Sequence, residues 1–323
     1  MPTFSQSPYK HCLLCPRRCG VNREEGQLGF CGETSALRLA FAGIHKGEEP
    51  PITGTGGSGT IFVSGCNLRC AFCQNYQLSG NALGRVVEVD EFSEICLALQ
   101  NKGAENINIV TGSHATPAIA MGIEEARKRN LSIPVVWNTS GYEGEETLEI
   151  LKDFVDIYLP DLKTLDEAIA AKYFNAPNYP ENATAAILKM MTQRNLRYGS
   201  GQASRILLSG VMIRHLVLPG YLEATRQVLR WFSESCGDSR SLLSLLTQYT
   251  PVKTPLAASC EIPNRFLSED EYEMVLSMLS EFGIDDGYCQ ELVTGSEWLP
   301  DFNRLNPFSS ELSIPVWGNV LTG

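Results

Sequence analysis

Basic charge is in short supply in this sequence. Lysine and arginine number 26 against 37 aspartates and glutamates, a formal net charge of −11, and a chain this acidic does not hold nucleic acid through a broad basic face. Long apolar runs are missing as well. Nothing approaches the roughly 18 residues that span a membrane, and the opening MPTFSQSPYKHC has no apolar stretch of the signal-peptide kind. These absences give the expectation of a cytoplasmic protein with neither nucleic acid nor membrane as a partner. Disorder is excluded by composition: 43% of the 323 residues are apolar and 20% charged, enough to bury a core in one large domain or two ordinary ones.

What the chain holds in quantity is cysteine, gathered toward one end. Of the 11 cysteines, Cys12, Cys15, Cys19, Cys31, Cys66, Cys70 and Cys73 crowd the first 73 residues, and Cys96, Cys236, Cys260 and Cys289 are scattered beyond. Close thiol spacing in a long chain with no secretory signal points to metal or redox chemistry rather than disulfides. The last three have no metal spacing and read as ordinary thiols.

From about residue 60 onward, short apolar runs alternate with helical patterns. The runs TIFVS (60–64), INIVT (107–111), PVVWN (134–138), IYLP (157–160), IRHLVL (213–218) and LLSLLT (242–247) are rich in β-branched, leucine or aromatic residues without polar alternation, which suits strands buried on both faces. Between them, Phe92, Ile95, Cys96 and Leu99 form an apolar stripe ending at Gly103, and Thr116-Pro117 reads as an N-cap followed by proline. Thr225, Val228, Leu229 and Phe232 repeat at helical spacing, and Ser268 with Glu271 forms a capping box. Six strands with intervening helices predict an α/β fold with a parallel sheet, open or curved into a barrel.

Chemistry in such folds sits at the C-terminal ends of the strands. The predicted exits are Gly65-Cys66, Thr111-Gly112-Ser113-His114, Asn138-Thr139-Ser140-Gly141, Asp161-Leu162-Lys163, Pro219-Gly220 and Gln248-Tyr249. The first leads into GCNLRCAFCQN, where Cys66, Cys70 and Cys73 have C-x3-C-x2-C spacing with Phe72 before the last thiol. Three thiolates on a short loop can hold three irons of a cubane cluster and leave the fourth open to a ligand. A closed zinc site is the alternative; it needs a fourth ligand, and no Cys or His follows Cys73 until Cys96.

This loop, after the first strand of a parallel α/β fold, resembles the radical S-adenosylmethionine (SAM) superfamily. The wider context, GTIFVSGCNLRCAFCQNYQLS with IRHLVLPG and PDLK, is similar to homologues of the pyruvate formate-lyase activating enzyme, over segments from Cys12 to about Phe302. The resemblance implies a partial (β/α)6 TIM-like barrel. Cys66, Cys70 and Cys73 would bind a [4Fe-4S] cluster whose open iron takes the amino and carboxylate groups of SAM. Phe72 would pack near the adenine, Asp161 and Lys163 match an Asp-x-Lys that orients the cofactor, and Arg214 matches the arginine opening an Arg-x4-Pro-Gly segment. Reductive cleavage of SAM would then yield a 5′-deoxyadenosyl radical that abstracts hydrogen. Two departures set the chain apart from the pyruvate formate-lyase activator itself. Thr111-Gly112-Ser113-His114 stands where the family commonly has Gly-Gly-Glu, and Asn138 where the activator has Asp; Gly112, Ser113, His114 and Asn138 are cofactor-binding candidates by position.

A second constellation, Cys12, Cys15 and Cys19 in CLLCPRRC with Cys31 in GFCG, can close a zinc site or bind a second cluster. His11 adjoins it, and Arg17 and Arg18 read as an offset to thiolate charge. Gly54-x-Gly56-x2-Gly59 matches a dinucleotide fingerprint as a string, yet it precedes a strand instead of following one, and reads as a flexible approach to the cysteine loop. His114 and His215 lie near strand exits, where a structural or a site role is open. The layout expected is a Cys-rich segment over 1–57, a barrel over 58–250 and a C-terminal extension over 251–323. The expected function is a radical SAM enzyme resembling activating enzymes, served by an electron donor such as flavodoxin or ferredoxin and acting on a protein substrate. The alternatives are a small-molecule substrate, or a non-catalytic zinc or electron-transfer protein.

Overall fold

A computed structural model of the chain describes residues 7–80, 83–200, 205–237 and 240–318. Eleven strands lie within them: β1 (Leu37–His45), β2 (Ser58–Val63), β3 (Arg85–Val87), β4 (Ile107–Val110), β5 (Val135–Thr139), β6 (Ile157–Pro160), β7 (Arg197–Tyr198), β8 (Leu207–Leu216), β9 (Leu242–Leu246), β10 (Gly287–Cys289) and β11 (Ser313–Gly318). The six apolar runs become β2, β4, β5, β6, β8 and β9. These pair in parallel and in chain order, each separated from the next by a helical crossover, as parallel pairing demands. An α/β fold with a mostly parallel, open sheet of the partial-barrel kind results. All their exits therefore face one end.

The sheet is wider than the sequence suggested. β1 pairs antiparallel with β2, and β11 with β1, while β10 adds in parallel to β9. The N-terminal segment expected to be a Cys-rich lead-in thus contributes a long, almost wholly buried strand, and the C-terminal extension contributes to both edges. β8 starts at Leu207, earlier than expected, and Val217 and Leu218 already belong to its exit. The Thr116–Lys128 helix is not capped by Thr116, which is its first residue; its hydroxyl donates to the Ser113 carbonyl instead (2.9 Å), and Ala115 is the N-cap. The capping box of the Glu269–Glu281 helix forms as read.

Glycines before β2 serve close packing. A Cβ on Gly56 would lie 2.1 Å from the Gly103 carbonyl oxygen, and one on Gly59 would lie 2.6 Å from that of Asn106, so only glycine lets these backbones approach. At the other margin the chain folds back over the sheet: Phe302 meets Phe62 edge-on (5.1 Å) and Phe308 meets Phe41 likewise (6.2 Å). This lays the 298–308 segment along the sheet beside the strand exits. No helix among the described residues is long and apolar enough to cross a membrane.

Candidate active site

The turn after β2 carries the three thiols. Gly65 occupies the left-handed region (φ 84°), where a side chain would strike Glu33 and the Cys31 carbonyl. The Cys66 sulfur accepts the backbone N–H groups of Leu68 (3.3 Å) and Arg69 (3.4 Å). Cys73 N–H donates to the Cys70 carbonyl (3.1 Å), and Ala71 N–H ties the loop to Tyr173 (2.8 Å). Phe72 is locked by edge contacts with Tyr173 (5.7 Å) and Phe174 (5.8 Å). Cys66, Cys70 and Cys73 all line one cavity of about 240 Å³, and no other cysteine among the described residues does. Burial pushes the Cys73 thiol up to about 11 and the Cys70 thiol higher still, so these two gain charge as a metal displaces their protons.

Facing the thiols are groups from the strand exits. Asn138, Thr139 and Ser140 come from β5, Asp161 and Lys163 from β6, Arg214 from β8 and Gln248 from β9. Lys163 Nζ donates to Asp161 Oδ2 at 2.6 Å. Burial works against the lysine's charge, but Asp161 and the nearby Cys70 hold its pKa above the usual lysine range. Tyr179 staples two exits together, its one hydroxyl proton shared between the carbonyls of Ser140 (2.9 Å) and Asp161 (2.8 Å) while its oxygen accepts Lys163 N–H. Ser140 Oγ is buried with no partner. An orphaned hydroxyl at the edge of a cavity lined by three thiols, an ion pair and amides fits a polar cofactor.

Arg214 lines the cavity but is already engaged. Glu49 receives its Nε at 2.8 Å and its Nη2, Glu48 also receives Nη2, and Ser244 donates to Glu49 at 2.7 Å. Arg214, a cofactor-binding candidate by resemblance, is thus held in a buried cluster with Glu48 and Glu49 at the wall of the cavity. The lysine-glycine-glutamate segment after β1 supplies this plug, and His45, Gly47, Trp298 and Phe308 join it in the wall. None of these was singled out in the sequence. The only signal was the adjacent pair Glu48-Glu49 before two prolines.

Gly112, Ser113 and His114 do not line the cavity. Gly112 packs against Trp137, Ser113 Oγ donates to Glu143 (2.7 Å), and His114 Nε2 donates to the Ser64 carbonyl (2.7 Å). Burial, with Arg23 nearby, holds the His114 pKa down at about 3. His215 bonds the Leu162 carbonyl (2.7 Å) and Thr225 (3.0 Å), and burial holds it at about 4; both rings are neutral supports of the exits.

The N-terminal segment that carries Cys12, Cys15, Cys19 and Cys31 meets the cysteine loop where the Cys31 carbonyl accepts Cys66 N–H (3.3 Å). The Arg17 guanidinium donates to the carbonyls of Asn67 (2.9 Å), Leu68 (3.5 Å), Phe174 (2.7 Å) and Asn175 (2.5 Å). Arg18 pairs with Glu146 at the surface (3.4 Å), and His11 is exposed, bonded to the Gly20 carbonyl (3.0 Å). Among the described residues, no three His, Cys, Asp or Glu side chains stand in the tight shell of a single metal ion. Cys96 and Cys236 are buried in the core, Cys260 is half-buried and Cys289 exposed.

The family model of the radical SAM superfamily matches residues 60–232. The uncharacterized protein MJ0674 of Methanocaldococcus jannaschii is 28% identical over 294 residues, 87% of this chain and 78% of that one. Among solved structures, methylornithine synthase (PylB) aligns with a TM-score of 0.48 at 16% identity, over 68% of this chain and 62% of that one. SuiB of Streptococcus suis aligns at 0.47 and 15%, over 70% and 47%. A domain of the pyruvate-formate lyase-activating enzyme of Bacteroides vulgatus aligns at 0.36 and 12%, over 54% and 89%. The chain thus spans less than two thirds of the first two structures.

Proposed function

We propose that this chain, which belongs to the radical SAM superfamily, holds a [4Fe-4S] cluster on Cys66, Cys70 and Cys73 and binds SAM in the cavity they line. When bound, the pair supplies one-electron cleavage of a carbon–sulfur bond, giving methionine and a 5′-deoxyadenosyl radical that takes hydrogen from a substrate. The observation that carries this reading is the convergence of three thiols with Asn138, Ser140, Asp161 and Lys163 on one cavity.

The chain's own contribution is placement. Backbone N–H groups of Leu68 and Arg69 aimed at the Cys66 sulfur fix its position. The Lys163–Asp161 pair, fixed by Tyr179, presents a cation and an anion side by side, suited to a zwitterionic ligand. Asn138 and the free Ser140 hydroxyl add neutral polar contacts. Phe72 and its aromatic neighbours exclude water from the loop.

The substrate we propose is a segment of a partner protein, as in the activating enzymes that the GCNLRCAFCQN, IRHLVLPG and PDLK segments resemble, with a low-potential flavodoxin or ferredoxin as electron donor. A second cavity of about 600 Å³ supports this. It shares Gly47, Glu48, Arg214, Leu246, Gln248 and Trp298 with the first and opens beside the 291–294 segment. The four N-terminal thiols complete the reading as a second metal-binding set.

Anaerobically reconstituted protein with reductant should convert SAM to 5′-deoxyadenosine and methionine, and Cys70→Ala should abolish the products. Cleavage undiminished in that variant would sink the assignment. A glycyl radical signal in a co-incubated partner would support protein activation, whereas hydrogen transfer only from a small molecule would replace it.

A further inference from the structure

The N-terminal thiols sit among arginines, and the buried carboxyl nearest them on the chain, Glu33, is paired with Arg38 (3.2 Å). Arg23 is 1% exposed, and its guanidinium donates to the carbonyls of Glu33 (3.1 Å), His114 (2.6 Å) and Thr34 (2.5 Å) and to the Cys12 sulfur (3.7 Å). Arg17 lies over the Phe30 ring at 3.7 Å and Arg69 over the same ring at 5.6 Å, with Arg69 Nε buried and unpartnered. Among the described residues, none of these three arginines forms an ion pair with a carboxylate. Of the three, Arg23 is the one fully buried, and a buried guanidinium favours negative charge beside it. Four thiolates on Zn²⁺ or on a [4Fe-4S]²⁺ cluster carry a net charge of about −2, which would lie against the Arg23 guanidinium that already donates to the Cys12 sulfur.

Two of the thiols also approach a common point. A Cβ on Gly29 would stand 3.5 Å from the Cys31 sulfur and 3.6 Å from the Cys19 sulfur, so the two face each other across a position left bare by glycine. Phe30 N–H already donates to the Cys19 sulfur (3.3 Å). From this site two direct links run to the catalytic loop. Cys66 N–H donates to the Cys31 carbonyl (3.3 Å), and Arg17, between Cys15 and Cys19, grips the carbonyls of Asn67 and Leu68, between Cys66 and Cys70.

We propose that Cys12, Cys15, Cys19 and Cys31 bind a tetrathiolate metal centre of net negative charge, an iron–sulfur cluster or zinc, and that this centre clamps the Cys66–Cys73 loop in the form that accepts its own cluster. The clamp rests on the reading of that loop as the catalytic site. Occupancy is then ordered: the N-terminal centre fills independently, and the catalytic loop fills well only after it. Arg17 acts as a positioning residue, touching neither metal.

Iron, acid-labile sulfide and zinc would be measured after anaerobic reconstitution of the full chain, with electron paramagnetic resonance of the reduced protein. The Cys66→Ala/Cys70→Ala/Cys73→Ala variant should keep the second centre, as about four irons with sulfide or as zinc. Cys15→Ser/Cys19→Ser should lose it and load far less iron on the catalytic loop. Arg17→Gln should keep the N-terminal metal while the catalytic loop's metal affinity falls on the order of tenfold or more, as for other supporting contacts of metal ligands. If the Cys15/Cys19 variant fails to fold by circular dichroism, Arg17→Gln decides the clamp alone. A triple variant devoid of metal overturns the second centre, and full loading of the loop in Arg17→Gln or in a folded Cys15/Cys19 variant overturns the clamp. A triple variant that retains all the wild-type iron refutes the catalytic-loop reading instead.

Discussion

Glu143 illustrates what single residues settle here. Its carboxylate is buried, with Oε1 accepting Ser113 Oγ (2.7 Å), Trp137 Nε1 (3.0 Å) and Thr139 Oγ1, and Oε2 left unpartnered. Burial raises its pKa against the pull of those donors. Glu143→Ala should therefore cost about 1–3 kcal/mol by orphaning buried donors, read as a drop in melting temperature, whereas Glu143→Gln keeps the accepting oxygen and removes the buried charge. The folded pKa lies above the unfolded one, so the wild type loses stability relative to Gln as pH rises above the usual glutamate range; a gap that does not grow with pH would refute the charge argument. This residue also marks where the sequence stopped being legible. The thiols, Asp161, Lys163 and Asn138 were readable because spacing and strand exits fix them. The loop bearing Ser113 and His114 was not, since its side chains turn inward to Glu143 and Ser64, and nothing in GYEGEE distinguishes the glutamate that is buried from the two at the start of the next helix.

Among elements, the Glu269–Glu281 helix shows local chemistry deciding local structure. Ser268 Oγ accepts Glu271 N–H (3.2 Å), and Glu271 returns the bond to Ser268 N–H (3.0 Å) while also accepting Gly220 N–H (2.7 Å) and both Arg265 nitrogens. The Arg265 hydrogen bonds, outweighing burial, bring the Glu271 carboxyl down to about 2. A depressed acid stabilises above its unfolded value of 4.5 and loses that contribution as pH falls toward about 2. Arg265 is half-exposed, so solvent screening limits the sum; Glu271→Ala should cost about 1–2 kcal/mol at pH 7. Urea midpoints of the two proteins should converge as the solution is acidified, and a constant separation would contradict the assignment. This helix and the six parallel strands were legible because their signals are local. β1 and β11 were not: each needs the other and β2 to become a strand, and β1 lies upstream among cysteines and glycines that draw the reading toward metal chemistry.

For the molecule as a whole, one apolar cluster runs from Tyr9, Cys12 and Leu14 through the barrel to Leu267, Val275 and Met278. Segments that composition would divide are joined by a shared core, so far-ultraviolet and near-ultraviolet circular dichroism should report one coincident unfolding transition in denaturant; two separated transitions would mean that the N-terminal segment or the C-terminal extension folds on its own. The extension's placement has a practical side. Of the four tryptophans, Trp298 stands in the wall common to both cavities, while Trp137 is sealed in the core. The protein accordingly carries an optical reporter at the junction of its two chambers. Indole emission should shift when SAM is titrated in anaerobically, and Trp298→Phe should silence that response, making occupancy of the site measurable by fluorescence without any turnover.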